Sequence, residues 1–514
     1  MKKQVRTLII VSVIVLLLAG ALLALLFLLP ENEDDTSSDV VSETSIDVVS
    51  KTTDKDGKTV DRPVKKVVIK NEAEFEISEN REKQLAVKGF EDLPVNESQI
   101  DLLTTELASL TATRKVAEDS SNAKDFGLDK PRATAVATFH DDTVIKFELG
   151  NDAPSDLGAY VRVEENGPIY LVDSAFAKHL LDPPEEYIGT TLITPPEARS
   201  DSEDSSDSDS SGDTAVLRSL KLSGSFRNNR LLEIAINEKT DAKDWFSSYT
   251  YLTVSPVKKG VRENFSEKAQ SMLSLYAIRA VKAHPTAAQL KEYGLDKPYS
   301  TAEITLAVQS LKSTDDDKTI ATFYNTTKHT VKLGKKDDEG DYYALVNDIN
   351  AVYLVAPSSV PWAELKYDDI ASEMLFLRDI KTMKSVEIEV NGKKTKINLT
   401  HFPDEEDRDK NLKVEIGGKQ YPTDQFRTFY QVLMGIRRHG ESAQKPGGKP
   451  EVVISLIPEK TGETITASFY KKSASIYHCA MSDGDNFAVK ASDIDKVKMA
   501  LEDYLQGREI KDIY

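Results

Sequence analysis

Nucleophilic, acid–base, metal and anion chemistry each need particular residue types at particular spacings, and this chain holds fragments of each. Ser255-Pro-Val-Lys258 and Lys460-Thr461-Gly462 match two of the three elements with which a lysine activates a serine in cell-wall transpeptidases. The middle Ser-x-Asn element is missing between them, and Ser255 follows a strand-like run instead of opening a helix. Asp129-Lys130 and Asp296-Lys297 place an acid beside a base twice. Glu405-Glu406 would serve a glycoside hydrolase only if the fold set two carboxyls about 5–10 Å apart around a cleft. Trp245 and Trp362 are the residue type of a sugar-stacking platform, but large aromatics are more often core. The lone Cys479 excludes an intramolecular disulfide and a cysteine metal cluster, and a single cysteine usually behaves as a small core residue. Seven histidines are scattered without metal-ligand spacing. Asp207, Asp209 and Gly212 hint at a calcium loop whose closing acid falls on Arg218, the wrong charge. There is no phosphate-cradling glycine loop, paired-histidine zinc helix or nucleophile elbow. No catalytic residue, metal ligand or cofactor contact is therefore assigned.

The elements that would position such groups are repeated. Phe126-Gly127-Leu128-Asp129-Lys130-Pro131 returns as Tyr293-Gly294-Leu295-Asp296-Lys297-Pro298, and a worn form, Gly447-Gly448-Lys449-Pro450, appears again. Self-similarity of this kind points to duplication of one module. Each copy reads as a helix first. Asn96 with Gln99 caps the first, with Ile100, Leu103, Leu107 and Leu110 on one stripe. The second starts near Ser266, with Met272, Leu275 and Ile278 inward; the third starts near Thr423, with Phe426, Tyr430, Leu433 and Ile436. Leu110 to Arg114, Leu275 to Arg279 and Leu433 to Arg437 align as matching helix ends. Arg114, Arg279 and Arg437 are thus cations near helix C-termini, favourable by a few tenths to about 1 kcal/mol, or the contacts of a shared anion groove.

The hexapeptide follows, and its residues have structural tasks. Thr286 and Gln289 form a capping box, and Gly294 closes the short helix in the left-handed conformation. Leu295 then meets Leu290 in a Schellman stop, and Pro298 launches a strand. A meander comes next. Ile145, Phe147 and Leu149 alternate with charged residues, Leu149-Gly150 is echoed by Leu333-Gly334, and Tyr170-Leu171-Val172 by Tyr353-Leu354-Val355. Short closing helices start at Ser174 and Ser492, both good N-caps.

Leu8 to Leu29 is apolar apart from Ser12 and Gly20, about 22 residues or roughly 33 Å of helix, and Lys2, Lys3 and Arg6 precede it. That pattern reads as an uncleaved single-pass anchor with its N-terminus inside and the bulk of the chain outside the cytoplasm. A net charge of −19 argues against nucleic acid. Arg199 to Asp213 is a Ser/Asp run too polar to order itself. The chain divides into a cytoplasmic N-terminus (1–6), a transmembrane anchor (7–29), an acidic stalk (30–62), module 1 (63–192), a disordered linker (193–215), module 2 (216–375) and a diverged module 3 (376–514). The fold class is α+β, a transmembrane helix followed by three tandem modules of antiparallel sheet plus helix.

The repeated Gly-Leu-Asp-Lys-Pro, the strand ending Leu-Gly and the Tyr-Leu-Val strand resemble the bacterial domain-of-unknown-function 4340 family, strongly in copies one and two and faintly in copy three. Members of that family are single-span proteins with an exported repeat region, often encoded beside ABC-type permease and ATPase subunits, and have no agreed catalytic residues. The resemblance implies a binding or scaffolding protein accessory to an ABC-type transport system, with permease, ATPase or other envelope proteins as partners. The alternatives are an envelope enzyme acting on wall polymers and a solute-capturing receptor.

Overall fold

The computed structural model describes residues 45–50, 52–53, 59–60, 62–199, 213–238, 248–313, 319–408, 410–440, 446–459 and 464–511. Three antiparallel sheets follow one another along the chain. The first holds β1 (Val64–Lys70), β2 (Glu74–Glu79), β3 (Leu85–Val87), β4 (Arg114–Ala117), β5 (Ala133–Phe139), β6 (Val144–Asp152), β7 (Ala159–Val163) and β8 (Ile169–Val172), in spatial order β3-β2-β1-β5-β6-β7-β8-β4. The second holds β9 (Thr214–Ser223), β10 (Leu232–Ile236), β11 (Tyr251–Ser255), β12 (Lys259–Gly260), β13 (Arg279–Ala283), β14 (Ser300–Ser313), β15 (Thr319–Lys336), β16 (Tyr342–Val346) and β17 (Ala351–Val355), in order β12-β11-β10-β9-β14-β15-β16-β17-β13. The third holds β18 (Met383–Val390), β19 (Lys393–His401), β20 (Leu412–Ile416), β21 (Lys419–Tyr421), β22 (Val452–Pro458), β23 (Ile465–Lys471), β24 (Ile476–Met481) and β25 (Asn486–Lys490), in order β21-β20-β19-β18-β22-β23-β24-β25. The winding is the same in all three, except that the third lacks a strand beyond β25. There a single bridge, Arg438 to Val489, stands where β4 and β13 stand.

Period-two patterning builds these sheets. Ala133, Ala135, Ala137 and Phe139 of β5 face inward while Thr134, Val136 and Thr138 face outward. Three alanines on that face leave room for helices. Helix α1 (Glu97–Ala108) brings Ile100, Leu103 and Leu107, and α2 (Ser174–Leu181) brings Phe176, Ala177 and Leu180, into the same core. In the second module α3 (Phe265–Ser271), α4 (Ala287–Glu292) and α5 (Tyr367–Ile370) are short. In the third, α6 (Thr423–Met434) and α7 (Ala491–Leu505) cover the sheet.

The expected α+β class with a leading transmembrane helix is corrected. Strand accounts for 42% and helix for 20%, so the chain is mostly antiparallel sheet. No helix among the described residues is long and apolar enough to cross a membrane. The longest, α7, has 15 residues and carries Asp493, Lys496 and Lys498, short of the roughly 20 apolar residues a span needs. The stretch 7–29 lies outside the described residues, so the single-pass anchor and the outward-facing localisation have no support here and go no further. The stalk assignment also changes: Ile46–Asp47 pairs with Thr111–Ala112, and Val49 is buried in the first core. The Ser/Asp stretch 200–212 falls outside the described residues.

Helix ends differ from the sequence pattern as well. Asn96 caps α1 by accepting from the Gln99 N–H, but α1 stops at Ala108 and α3 at Ser271. Leu110 to Arg114 and Leu275 to Arg279 therefore lie beyond their helices, whereas Leu433 and Met434 still belong to α6, and Ile278 is exposed. Asp173, not Ser174, caps α2, and α7 begins after Lys490.

Candidate functional site

The hexapeptide is a joint between a turn and a strand. In module 2, Thr286 and Gln289 form the capping box, and Gly294 has φ +73°. The Leu295 N–H donates to Leu290 O (2.8 Å) and the Gly294 N–H to Lys291 O (3.1 Å), the two bonds of a Schellman stop. Module 1 repeats them from Leu128 to Ala123 O and from Gly127 to Lys124 O. Leu128 and Leu295 are buried, whereas Asp129, Lys130, Asp296 and Lys297 are exposed.

The joint also explains the distant Leu-Gly pair. A Cβ on Gly150 would lie 2.2 Å from Phe126 O, and one on Gly334 2.1 Å from Tyr293 O. Each glycine sits where the register of its strand shifts, between Leu149 and Asp152 and between Leu333 and Lys336. The missing side chain lets the hexapeptide carbonyl reach the bulge. After Pro131 and Pro298 the next N–H groups, of Arg132 and Tyr299, donate to Leu149 O and Leu333 O and start the strand pairing. In module 3 the β23–β24 pairing runs without a shift, and Cβ atoms on Gly447 and Gly448 would meet nothing within 4 Å. Gly448, Lys449 and Pro450 form an open turn there, so loss of the Leu-Asp pair goes with loss of the bulge it served.

The three arginines do not share a groove. Arg114 and Arg279 are exposed at the starts of β4 and β13, paired with Leu171 and Leu354, the penultimate residues of β8 and β17. The penultimate residue of β25, Val489, pairs with Arg438. Neither Arg437 nor Arg438 takes the position of Arg114 and Arg279: the His439 N–H donates to Ala488 O as the Thr113 and Ile278 N–H groups donate to Leu171 O and Leu354 O, so Gly440 stands where those two arginines stand. The sequence alignment slipped because α6 runs on to Met434, whereas the Leu275 end of its supposed match is already extended.

Adjacent residues of an extended chain point to opposite sides, and Arg437 and Arg438 accordingly face different environments at the seam between modules 2 and 3. Arg438 is buried. It pairs with Asp368 and with Asp485 (2.6 Å), and its guanidinium lies 4.3 Å from the Phe487 ring centroid. Lys259 of β12 reaches Asp483 (2.7 Å), and the Tyr367 hydroxyl donates to Asp485 (3.0 Å). Burial, with Asp485 beside it, pushes the Tyr367 hydroxyl pKa upward, so it stays protonated and donating. The turn after β24 thus sets Asp483 and Asp485 against Lys259 and Tyr367 of module 2. The seam between modules 1 and 2 has more exposed counterparts, Lys282 with Glu185 (3.0 Å) and His284 with Asp92 (2.9 Å).

Arg437 faces a cleft of about 690 Å³ on the other side of the same seam. One wall is Tyr249, Tyr251 and Val261; the other is Ser372, Met374 and Leu377. Gly260 has no side chain because the Tyr249 ring occupies that space, 2.3 Å from where its Cβ would lie. The ring so placed sets its hydroxyl 2.9 Å from Ser372 Oγ. Arg262 is committed to the seam: Nε donates to Ala371 O (2.9 Å), Nη2 to Asp368 O (3.3 Å), and Nη1 pairs with Glu373 (3.1 Å). Arg437 donates from Nη1 to Met434 O (2.7 Å), and no carboxylate pairs with it among the described residues. The repeat aligned these arginines in the sequence, but nothing in the sequence signalled the cleft, whose walls come from four separate segments.

The remaining candidates resolve into structure. Trp362 is buried and its carbonyl accepts from Arg227 (2.7 Å). Cys479 is fully buried, and desolvation raises its thiol pKa, away from the reactive thiolate. Ser255 pairs with Glu233 in the second sheet, and its hydroxyl donates to Leu231 O. Lys460 to Gly462 and Trp245 lie outside the described residues. Among the described residues no group of three His, Cys, Asp or Glu side chains is placed to hold a metal.

The family model "Domain of unknown function (DUF4340)" matches residues 87–218 and 262–439, more than half of the chain, which therefore belongs to that family. Each matched stretch contains one inter-module joint, the first around Ile188 and the second around Ala371. No curated protein and no solved structure matches the chain.

Proposed function

We propose that this member of the DUF4340 family is a binding and scaffolding protein that catalyses no reaction itself and serves as an accessory component of an ABC-type transport system. The observation that carries the binding reading is the cleft at the seam of modules 2 and 3. Its volume falls within the roughly 300–1,000 Å³ of small-molecule sites, and module 3 contributes Leu377 and Arg437 to a lining otherwise drawn from module 2, the two modules being joined by the ion pairs of Arg438 with Asp368 and of Lys259 with Asp483. A site built on a seam responds to what the seam does, so occupancy and the relative placement of two modules are coupled. The transport association comes from the family resemblance. Solute capture is the second reading, and the same cleft favours it over an enzyme acting on polymers.

The test is photo-crosslinking in the native cell from probes replacing Met374 and Glu263 at the cleft, with a probe at the exposed Leu157 as control. Covalent capture of a permease or ATPase subunit from the cleft positions and not from Leu157 supports the assignment. Recovery of no transport subunit from either cleft position rejects it.

A further inference from the structure

We infer that the cleft between modules 2 and 3 binds a ligand carrying a carboxylate on an apolar body, with Arg437 as the anion contact; this deepens the binding reading above and rests on it. The first argument compares the two seams. At the first, Gly189 N–H donates to Pro94 O, Asn96 N–H to Tyr187 O and Ala277 N–H to Thr190 O. At the second, Ser372 N–H donates to Gly260 O, Arg262 N–H to Ile370 O and Arg438 N–H to Glu373 O. Thr191 bridges Tyr276 as Met374 bridges Arg437. Position for position, Asn96, Thr190 and Tyr276 hold the first joint where Arg262, Glu373 and Arg437 hold the second. The backbone joint forms without any of those charges, so the joint does not require them.

Arg262 and Glu373 neutralise each other, but Arg437 has no acid partner among the described residues, and its only hydrogen bond there uses one of five N–H donors. The Tyr249 and Ser372 hydroxyls bond each other at 2.9 Å, which leaves one O–H of the pair to donate to a ligand. Glu263 and Glu373 at the rim oppose a dianion and leave a single negative charge as the better match. Met374 (39% exposed) and Leu377 (36% exposed) lie on the same wall, apolar surface that a ligand body would cover. One cation, one O–H donor and an apolar shelf together recognise a monocarboxylate with a hydrophobic body.

The experiment is calorimetric titration of the full chain with an N-acetylated tripeptide ending in leucine, as free acid and as amide. A charge-assisted hydrogen bond to the carboxylate makes the acid bind about 10–100-fold tighter than the amide. Arg437→Gln removes that difference, and its thermal midpoint shows whether it folds. The acid–amide comparison on the unaltered protein needs no variant. Equal binding of acid and amide, no saturable binding of the acid, or unchanged preference in Arg437→Gln overturns the assignment. Displacement of the acid by equimolar inorganic phosphate overturns it too, because the apolar body would then contribute nothing. Transport-subunit capture from Met374 alongside a failed titration rejects the ligand class alone; failure of both experiments rejects the binding reading as well.

Discussion

Replacing Arg438 by methionine tests whether the seam is held by a buried arginine that pairs with Asp368 of module 2 and Asp485 of module 3. Both side chains of the Arg438–Asp485 pair are 3% exposed, and their atoms are 2.6 Å apart. Methionine fills much of the volume but removes the ion pair with the part-exposed Asp368 and leaves the buried Asp485 carboxylate with the Tyr367 hydroxyl at 3.0 Å and Lys259 at 3.9 Å. Removing one partner of a buried pair costs about 3–5 kcal/mol. The nearby Lys259 places the expectation at the lower end, ~3 kcal/mol, equivalent to roughly a 150-fold change in the opening equilibrium. A single free energy of unfolding is ill-defined for a chain of several modules, so the assay is hydrogen exchange at the seam amides, such as Arg438 to Glu373 O and His439 to Ala488 O. Protection there falls by about two orders of magnitude, while that of the first core is unchanged. Replacing Asp485 by leucine as well removes the more deeply buried stranded charge while the part-exposed Asp368 stays, and the double variant recovers part of the protection. A single variant that loses less than about fivefold protection, or a double variant no better than the single, refutes the reasoning.

Gly334→Ala sets a Cβ 2.1 Å from Tyr293 O and destabilises module 2 by ~1–3 kcal/mol, whereas Asp296→Asn and Lys297→Gln, exposed in the same motif, stay within about 0.5 kcal/mol in chemical denaturation. Arg227 is buried, has no carboxylate partner among the described residues, and donates to Ser300 Oγ (2.7 Å), Trp362 O (2.7 Å), Leu365 O (3.0 Å) and Ala363 O (3.2 Å); burial lowers its pKa to about 10, still charged at neutral pH. Arg227→Met strands those acceptors, costs ~3 kcal/mol and lowers the melting midpoint of module 2 by roughly 6–12 °C in calorimetry. Burial works against the Glu148 carboxylate, but Lys146 and Arg162 outweigh it and hold its pKa below the usual range. Its folded pKa lies under the unfolded one, so its stabilisation is complete above about pH 4.5 and fades as pH falls through the folded value. Glu148→Gln therefore lowers the stability of module 1 at neutral pH and flattens its acid limb, as read from denaturation between acid and neutral pH.

Local chemistry was legible where residues close in sequence do the work. Asn96 with Gln99, Thr286 with Gln289, and the glycine stop before Leu295 are written in neighbouring residues, because caps and turns satisfy backbone groups one helical turn away. The recurrence of Leu-Gly was visible, but its cause was not. Only the fold brings Gly150 to Phe126 O and Gly334 to Tyr293 O.

What the sequence determined by itself was the repeated order of short-range signals, since helical stops, strand alternation and glycine turns depend on spacing along the chain. The tertiary structure decided that Leu110 to Arg114 and Leu275 to Arg279 lie beyond their helices while α6 runs on to Met434, and that neither Arg437 nor Arg438 takes the place of Arg114 and Arg279. It also decided that Arg437 faces a cleft whose walls come from four separate segments. Register across a sheet and contact across a seam are set by burial and hydrogen bonding between distant residues. Two neighbouring arginines of equal charge and propensity acquire opposite roles only when the strand that carries them is placed.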